Sequence, residues 1–309
     1  MLRGVPIRIT LVRHGESTAN VVQRWQGQTD APLSDTGKQQ VDALARRISR
    51  GSWKPDLIVA SDLGRADTTA RALGLALESD ATWREADVGG WEGLTRAEVA
   101  ERFGDELAAL ARGDDVPLGG RGESMGAFDA RIDRALATVV ARLQDGQNAM
   151  VVTHGGVIWS LVARALGFRR KRRPVSRLVN TSLTTLEVDG MRMRLSVYND
   201  TMHLGADATW RGAREHDDEV AVTLVSSTSG ITEPLRDVAS EVRERLSRDV
   251  HELTLTPNAL RTTVEQLVSP GPGAPGLARP AEGSLTRLLA GPKRVVLSDY
   301  NVVPEDVTR

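Results

Sequence analysis

This chain of 309 residues predicts an α/β protein: a three-layer, mostly parallel sheet with helices on both faces, followed by a smaller C-terminal α/β region. Three observations carry that expectation. Short apolar runs alternate with segments of helical period up to about residue 204. Two of the runs end in histidine and glycine, Arg13-His14-Gly15 and Thr153-His154-Gly155. Sheets of this kind keep their ligands at the carboxyl ends of strands. After a polar stretch at 205–218, a second strand–helix series begins.

In chain order, residues 7–12 read as a buried strand running into Arg13-His14-Gly15. Val41, Leu44, Ala45 and Ile48 recur at helical spacing over 38–50. A short strand at 57–60 leads into a helix-like SDLGRADTTARAL. Thr95 and Glu98 form a capping box that opens another helix. Phe128, Ile132, Leu136, Val139 and Leu143 mark one face of a long helix, with Gly146 as its stop. Residues 149–152 are a third strand ending at Thr153-His154-Gly155-Gly156, and a helix over 157–166 stops at Gly167. Two further strands follow at 181–188 and 193–198. Beyond 218 the pattern gives a strand at 220–225 and a helix capped by Thr232 carrying Leu235, Val238, Val242 and Leu246. A strand at 253–256 precedes a helix started by Pro257. After the Pro/Gly-rich loop at 269–280 come a short helix at 285–290 and a strand at 294–297. No internal repeat is visible.

Composition excludes several classes. Forty basic and 41 acidic residues give a net charge of −1, which argues against a polybasic nucleic-acid binder. There are no cysteines, so disulfides, thiolate nucleophiles and Cys-ligated metals are absent. Lysines are few, so basic site residues are expected to be arginines, whose planar fork suits phosphate. The N-terminal stretch lacks the apolar core of a signal peptide. The most apolar stretch, 150–168, carries His154 and Arg164 and makes a poor membrane span. A soluble, cytoplasmic protein is the expectation.

The chemistry starts at the strand ends. A histidine there can attack phosphorus, and an adjacent arginine can neutralise the transferring group. Arg65 lies about one turn into the helix after the second strand. Its default fate is a solvated helix arginine. At the third strand end His154 precedes Gly155 and Gly156, where free N–H groups of a helix start favour an anion. A lone histidine is more often structural, but two of only five sit at strand ends. Trp25, Trp83 and Trp91 flank these blocks and read as core or pocket wall.

Taken together, LVRHGESTAN (11–20), WQGQTDAPLSDTGKQQ (25–40), ASDLGRADTTA (60–70), WREADVGGWEGLT (83–95), GGRGESM (119–125), VVTHGG (151–156), NTSLTTLEV (180–188) and YNDTMHL (198–204) resemble the histidine phosphatase, or phosphoglycerate-mutase-like, superfamily from about residue 7 to 204. The resemblance implies that His14 is the nucleophile that becomes phosphohistidine. It implies that Arg13, Arg65 and His154 form the phosphate pocket, and that Glu85 is general acid and then base. Asn20 matches an asparagine that lines the family's pocket, and Gly155 opens the anion-favouring helix. Glu16, Asp62 and Asp87 are rival carboxylates; Glu85 is preferred because its relation to Gly89 and the WEG segment follows the family pattern. His14 must be neutral at its attacking nitrogen, whereas His154 works protonated against a bound dianion. No metal and no cofactor is needed.

The resemblance implies a metal-independent phosphomonoesterase acting on a small phosphorylated metabolite. Its alternatives are a phosphomutase of the same fold and a non-catalytic phosphate-binding or scaffolding protein. Mutases of the family usually carry an added segment between the general acid and the second histidine. Here Glu85 and His154 are 69 positions apart, which favours hydrolysis. Sugar phosphates, phosphoglycerates, nucleotides and α-ribazole phosphate are all family substrates. No nucleic acid or membrane partner is expected. The run RRKRR at 169–173, with Arg177, reads as a solvated loop or a second anionic contact. His203, His216 and His251 read as structural or exposed. The expected domains are 1–207, the phosphatase, and 208–309, an accessory region whose roles include packing or a homodimer contact. Ser226-Ser227-Thr228-Ser229-Gly230 within it follows a strand and precedes a helix, where an anion could rest, but reads first as plain turn chemistry.

Overall fold

The computed structural model describes residues 5–51, 53–168, 174–190, 192–205, 219–235, 237–248, 251–268, 276–290 and 295–303. Its architecture is a mixed parallel and antiparallel α/β sheet with helices on both faces. The chain divides into two compact units, 1–161 and 162–309.

The first unit holds four parallel strands, β1 (Ile7–Arg13), β2 (Leu57–Ala60), β3 (Glu78–Ser79) and β4 (Asn148–Thr153), in the order β3-β2-β4-β1. Ile9, Leu11, Val12 and residues 149–152 are fully buried, as near-continuous apolar strands in a parallel sheet must be. The registers Arg13↔Thr153 and Ala60↔Val152 bring three strand ends level. The residues that follow, His14, Ser61 and His154, therefore leave the sheet at one edge.

Six helices belong to this unit: α1 (Thr18–Val21), α2 (Asp35–Arg50), α3 (Gly64–Arg71), α4 (Arg96–Arg102), α5 (Gly104–Arg112) and α6 (Met125–Val140). Ser34 caps α2, which buries Val41 and Leu44. The capping box of Thr95 and Glu98 opens α4 as expected. α6 buries Phe128, Ile132, Leu136 and Val139, the stripe read from the sequence. α7 (Gly155–Leu166) begins directly after His154.

The second unit holds β5 (Leu183–Asp189), β6 (Arg192–Asp200), β7 (Val220–Ile231), β8 (Glu252–Leu255), β9 (Leu285–Ala290) and β10 (Val295–Val302), in the order β5-β6-β10-β9-β7-β8. Among the described residues only β7 and β8 pair in parallel as strands here, beside isolated parallel bridges of Val175 with Leu297 and Leu195 with Leu277. The parallel arrangement expected from the sequence thus describes the first unit, and the second is mainly antiparallel. The cause is local: β5 and β6 join through a tight turn at Gly190 (φ 57°), and β9 and β10 likewise pair as an antiparallel hairpin. The unit's helices are α8 (Val238–Ser247) and α9 (Pro257–Val268), the latter started by its proline as read.

Three expectations fail in this unit. Residues 285–290 are strand β9, not a helix. Five of its six side chains are buried between β7 and β10, and a short apolar run carries no period strong enough to resist that. Thr232 caps nothing, because β7 runs on to Ile231; Asp237 caps α8 instead, accepting from the Ser240 N–H at 3.1 Å. The expected absence of a repeat also fails: the β5–β6 and β9–β10 registers match pair by pair at a separation of 102 residues, and Ser-Leu-Thr-x-Leu (182–186, 284–288) and Leu-Ser-x-Tyr-Asn (195–199, 297–301) recur at that offset in the sequence. Residues 169–173, His216 and 269–275 lie outside the described residues.

Candidate active site

Six of the seven residues proposed from the sequence, Arg13, His14, Arg65, Glu85, His154 and Gly155, meet at the carboxyl end of β1, β2 and β4. His14 (3% exposed) and His154 (0%) face each other with ring centroids 5.2 Å apart. Thr69 Oγ1 accepts from the Gly15 N–H at 3.0 Å and donates to the Arg65 carbonyl at 2.7 Å. This ties the turn after β1 to the first turns of α3.

The tautomer of His14 follows from its partner. Nδ1 lies 2.7 Å from the Gly15 carbonyl oxygen, which only accepts, so Nδ1 carries the hydrogen and Nε2 keeps its lone pair. Burial, then Arg65 and Arg13, hold its imidazole well below the usual range, while the bond to Gly15 works weakly the other way. His154 sets Nε2 2.8 Å from Ser61 Oγ, and its Nδ1 makes no hydrogen bond among the described residues. Burial, then Arg65, His14, Arg13 and Arg131, push it well down too. Burial and the flanking arginines thus disfavour charge on both rings.

Arg65 is 1% exposed and is no solvated helix residue. Its two terminal nitrogens donate to the carbonyls of Thr29 and Gly27, both at 2.8 Å. Burial lowers its pKa, while Glu85, Asp30 and Glu92 act in the opposite direction. Arg13 ends β1 opposite Thr153 and lies beside Gly155, where a Cβ would come 3.6 Å from its Nε. Two guanidiniums thus flank the two imidazoles.

Glu85 is gripped through its carboxylate and its backbone. Oε1 accepts from the Ala86 N–H at 2.9 Å, and Oε2 from the Gly156 N–H at 2.8 Å. The rival carboxylates are engaged elsewhere. Asp62 makes a two-pronged ion pair with Arg84, Asp87 accepts from the Gly89 N–H, and Glu16 from the Ser34 hydroxyl. Asn20 sits in α1 within a capping box: its Oδ1 accepts from the Ser17 N–H, and its Nδ2 donates to Gln26 Oε1. Gly155 is the first residue of α7. Trp83 and Trp91 are core residues, Trp91 stacking obliquely on Trp25 at 5.2 Å.

Sequence reasoning missed Arg131 and Glu123. Arg131, on α6, makes two bonds to Glu123 (2.8 and 2.7 Å) and donates to the carbonyls of Thr82, Arg84 and Glu85 at 2.9, 3.0 and 3.2 Å. Burial raises the Glu123 carboxyl, but bonds from Arg131 and the Asp87 N–H outweigh it and hold the group below its usual range. The only hint in the sequence was an arginine three residues after Phe128, whose ring it covers at 5.2 Å. Ser61 was quoted in its block without a role.

Among the described residues, no group of three or more histidine, aspartate or glutamate side chains could hold a metal, and no helix is long and apolar enough to cross a membrane.

Comparison with known proteins agrees with this geometry. The chain is 35% identical over 206 residues to phosphoglycerate mutase-like protein 4 of Arabidopsis thaliana, covering 63% of this chain and 86% of that protein. It is 34% identical over 221 residues to the glucosyl-3-phosphoglycerate phosphatase of Mycobacterium tuberculosis, covering 65% and 97%. The solved mycobacterial glucosyl-3-phosphoglycerate phosphatase with VO3 superposes with a TM-score of 0.54 at 35% identity, over 62% of this chain and 98% of that one. Bacillus stearothermophilus YhfR gives 0.56 at 29% identity, over 64% and 99%. The profile of the histidine phosphatase superfamily (branch 1) matches residues 9–201, and this chain is therefore an enzyme of that family.

Proposed function

We propose that the chain hydrolyses a small phosphorylated metabolite, without metal or cofactor, through a phosphohistidine at His14. The observation that carries this is the bond from His14 Nδ1–H to the Gly15 carbonyl, which leaves Nε2 as a neutral, buried nucleophile.

A phosphomonoester dianion enters between Arg13 and Arg65, whose charges offset those on its equatorial oxygens. Asn20 and the start of α7 at Gly155 complete the phosphate-binding set. The dianion favours the charged form of His154, which gains a proton and donates to a phosphoryl oxygen. His14 Nε2 attacks phosphorus in line, the P–O bond to the alcohol breaks, and Glu85 gives its proton to the leaving oxygen. Glu85 then takes a proton from water, whose oxygen attacks the phosphohistidine. The P–N bond breaks, phosphate leaves and His14 returns neutral. Residues 1–207 carry the whole of this chemistry, and 208–309 form the accessory region.

The names of the relatives, phosphatases and mutases of phosphorylated small molecules, support this substrate class. The test is phosphate release from an aryl phosphate and a panel of metabolite phosphates, with chelator, for the wild type and His14→Ala. Chelator-resistant release that vanishes in the variant is expected. Release that persists in the variant overturns the reading, and isomerisation without release replaces it with a mutase.

A further inference from the structure

The second unit contains the same arrangement twice. Leu183↔Asp200, Thr185↔Val197, Leu186↔Leu195, Glu187↔Arg194 and Val188↔Met193 pair in β5–β6. Leu285↔Val302, Arg287↔Asp299, Leu288↔Leu297, Leu289↔Val296 and Ala290↔Val295 pair in β9–β10. Every residue in the second set is 102 positions after its counterpart, and the irregularities in register fall at matching places. Unusual details repeat too. Asn199 and Asn301 both adopt the left-handed conformation, with φ 54° and 55°. Their N–H groups donate to Thr184 and Thr286 Oγ1, and their Oδ1 atoms accept from the N–H of Val179 and Ala281. The Tyr198 and Tyr300 hydroxyls donate to the carbonyls of Ser176 and Ala278. One such match has local explanations; a set at a single offset does not.

The offset extends outward. α7 and α9 are twelve residues each and start 102 apart, as do the ends of β4 and β8. β1 ends level with Thr153 on β4, and β7 passes level with Leu255 on β8 at Ser226. Hence Val222-Thr223-Leu224-Val225 stands where Ile9-Thr10-Leu11-Val12 stands in the first copy. The catalytic positions are vacated: Arg13 and His14 become Ser226 and Ser227, and His154, Gly155 and Gly156 become Thr256, Pro257 and Asn258. The turn is also occupied by the protein's own carboxylate, since Glu282 accepts from the Thr228 N–H at 2.9 and 3.0 Å.

The two hairpins meet reciprocally. Tyr198 pairs with Tyr300. Asn199 Nδ2 donates to the Ser298 carbonyl, and Asn301 Nδ2 to that of Ser196. The Leu195 N–H donates to the Gly276 carbonyl, and the Leu297 N–H to that of Pro174. Each relation maps onto its mate when the copies are exchanged, which is the mark of a two-fold, isologous interface. Here both sides lie in one chain.

We infer that residues 219–302 are a shortened second copy of the phosphatase fold, emptied of catalytic residues, that pairs with the β6 edge in place of a second chain. An open β6 would present unpaired N–H and C=O groups to other molecules. The second copy closes it within the chain, so this edge is not available for homodimer pairing.

Hydrogen exchange on the full-length protein tests this. Amides of 192–200 are expected to be protected to the same degree across about a hundredfold range of protein concentration. Asn301→Gly, which keeps the positive φ, is expected to speed exchange in 192–200 about tenfold, and Asn199→Gly to do the same in 295–302. Protection of 192–200 that fades on dilution would place its partner in another chain and overturn the inference. So would an absence of protection at every concentration, or acceleration confined to the substituted strand.

Discussion

The Gly156 N–H donates to Glu85 Oε2 at 2.8 Å, and a Cβ on residue 156 would collide with Oε1 of the same carboxylate. The proposed proton donor is thus seated on the first turn of α7, two residues from His154. Gly156→Ala is expected to displace the carboxylate and lower kcat about 100-fold, with a smaller change in KM. Steady-state kinetics on the best substrate checks this; unchanged kcat would remove Glu85 from the chemistry.

Arg131 acts through the backbone of residues 82–85 and is a positioning residue. Arg131→Ala releases three carbonyls and leaves Glu123, 22% exposed, without its partner. A loss of about 1.5–3 kcal/mol in stability is expected by urea unfolding. A fall in kcat of about tenfold or more, with a smaller change in KM, should accompany it, because Glu85 is no longer held. A stability loss with unchanged kcat would make the clamp purely structural.

Arg65→Lys keeps the charge but loses the fork that reaches Gly27 and Thr29 together. The expected result is weaker binding of inorganic phosphate by about tenfold or more, read by calorimetry. Equal affinity would show that only a point charge matters there.

His14 and His154 both titrate below their usual range because burial and the nearby arginines disfavour charge. The unfolded chain, with histidines near about 6.5, therefore binds more protons than the folded one. Stability is expected to fall as pH drops below about 6.5, by up to about 1.4 kcal/mol per pH unit for each histidine. Saturating inorganic phosphate should flatten the fall, since a bound dianion favours charge on His154. Urea midpoints between pH 7.5 and 5.5, with and without phosphate, are the measurement. A flat profile for the free protein would contradict the burial argument.

How much of this the sequence carried depends on the kind of force involved. The buried strands of the first unit, the stripe on α6 and the Thr95 cap were readable because periodicity and capping are local. His14, Arg65 and His154 were readable because they end strands or begin helices in recognisable blocks. Arg131 was not, because its role lies in backbone carbonyls about 46–49 residues earlier in the chain, which no spacing rule reports. β9 was missed because burial between two strands overrode a pattern that fits a helix equally well. The repeat does leave a mark in the sequence, Ser-Leu-Thr-x-Leu at 182–186 and 284–288 and Leu-Ser-x-Tyr-Asn at 195–199 and 297–301, but two patterns this short gain weight only beside the shared register and the two asparagine conformations.

The most direct test of the central claim is to quench the enzyme during turnover of a phosphate-labelled substrate and map the covalent label. Acid-labile, base-stable phosphate is expected on the peptide containing His14, retained in Gly156→Ala and absent from His14→Ala. Label on any other residue, or full turnover with no labelled intermediate at any time, would contradict it.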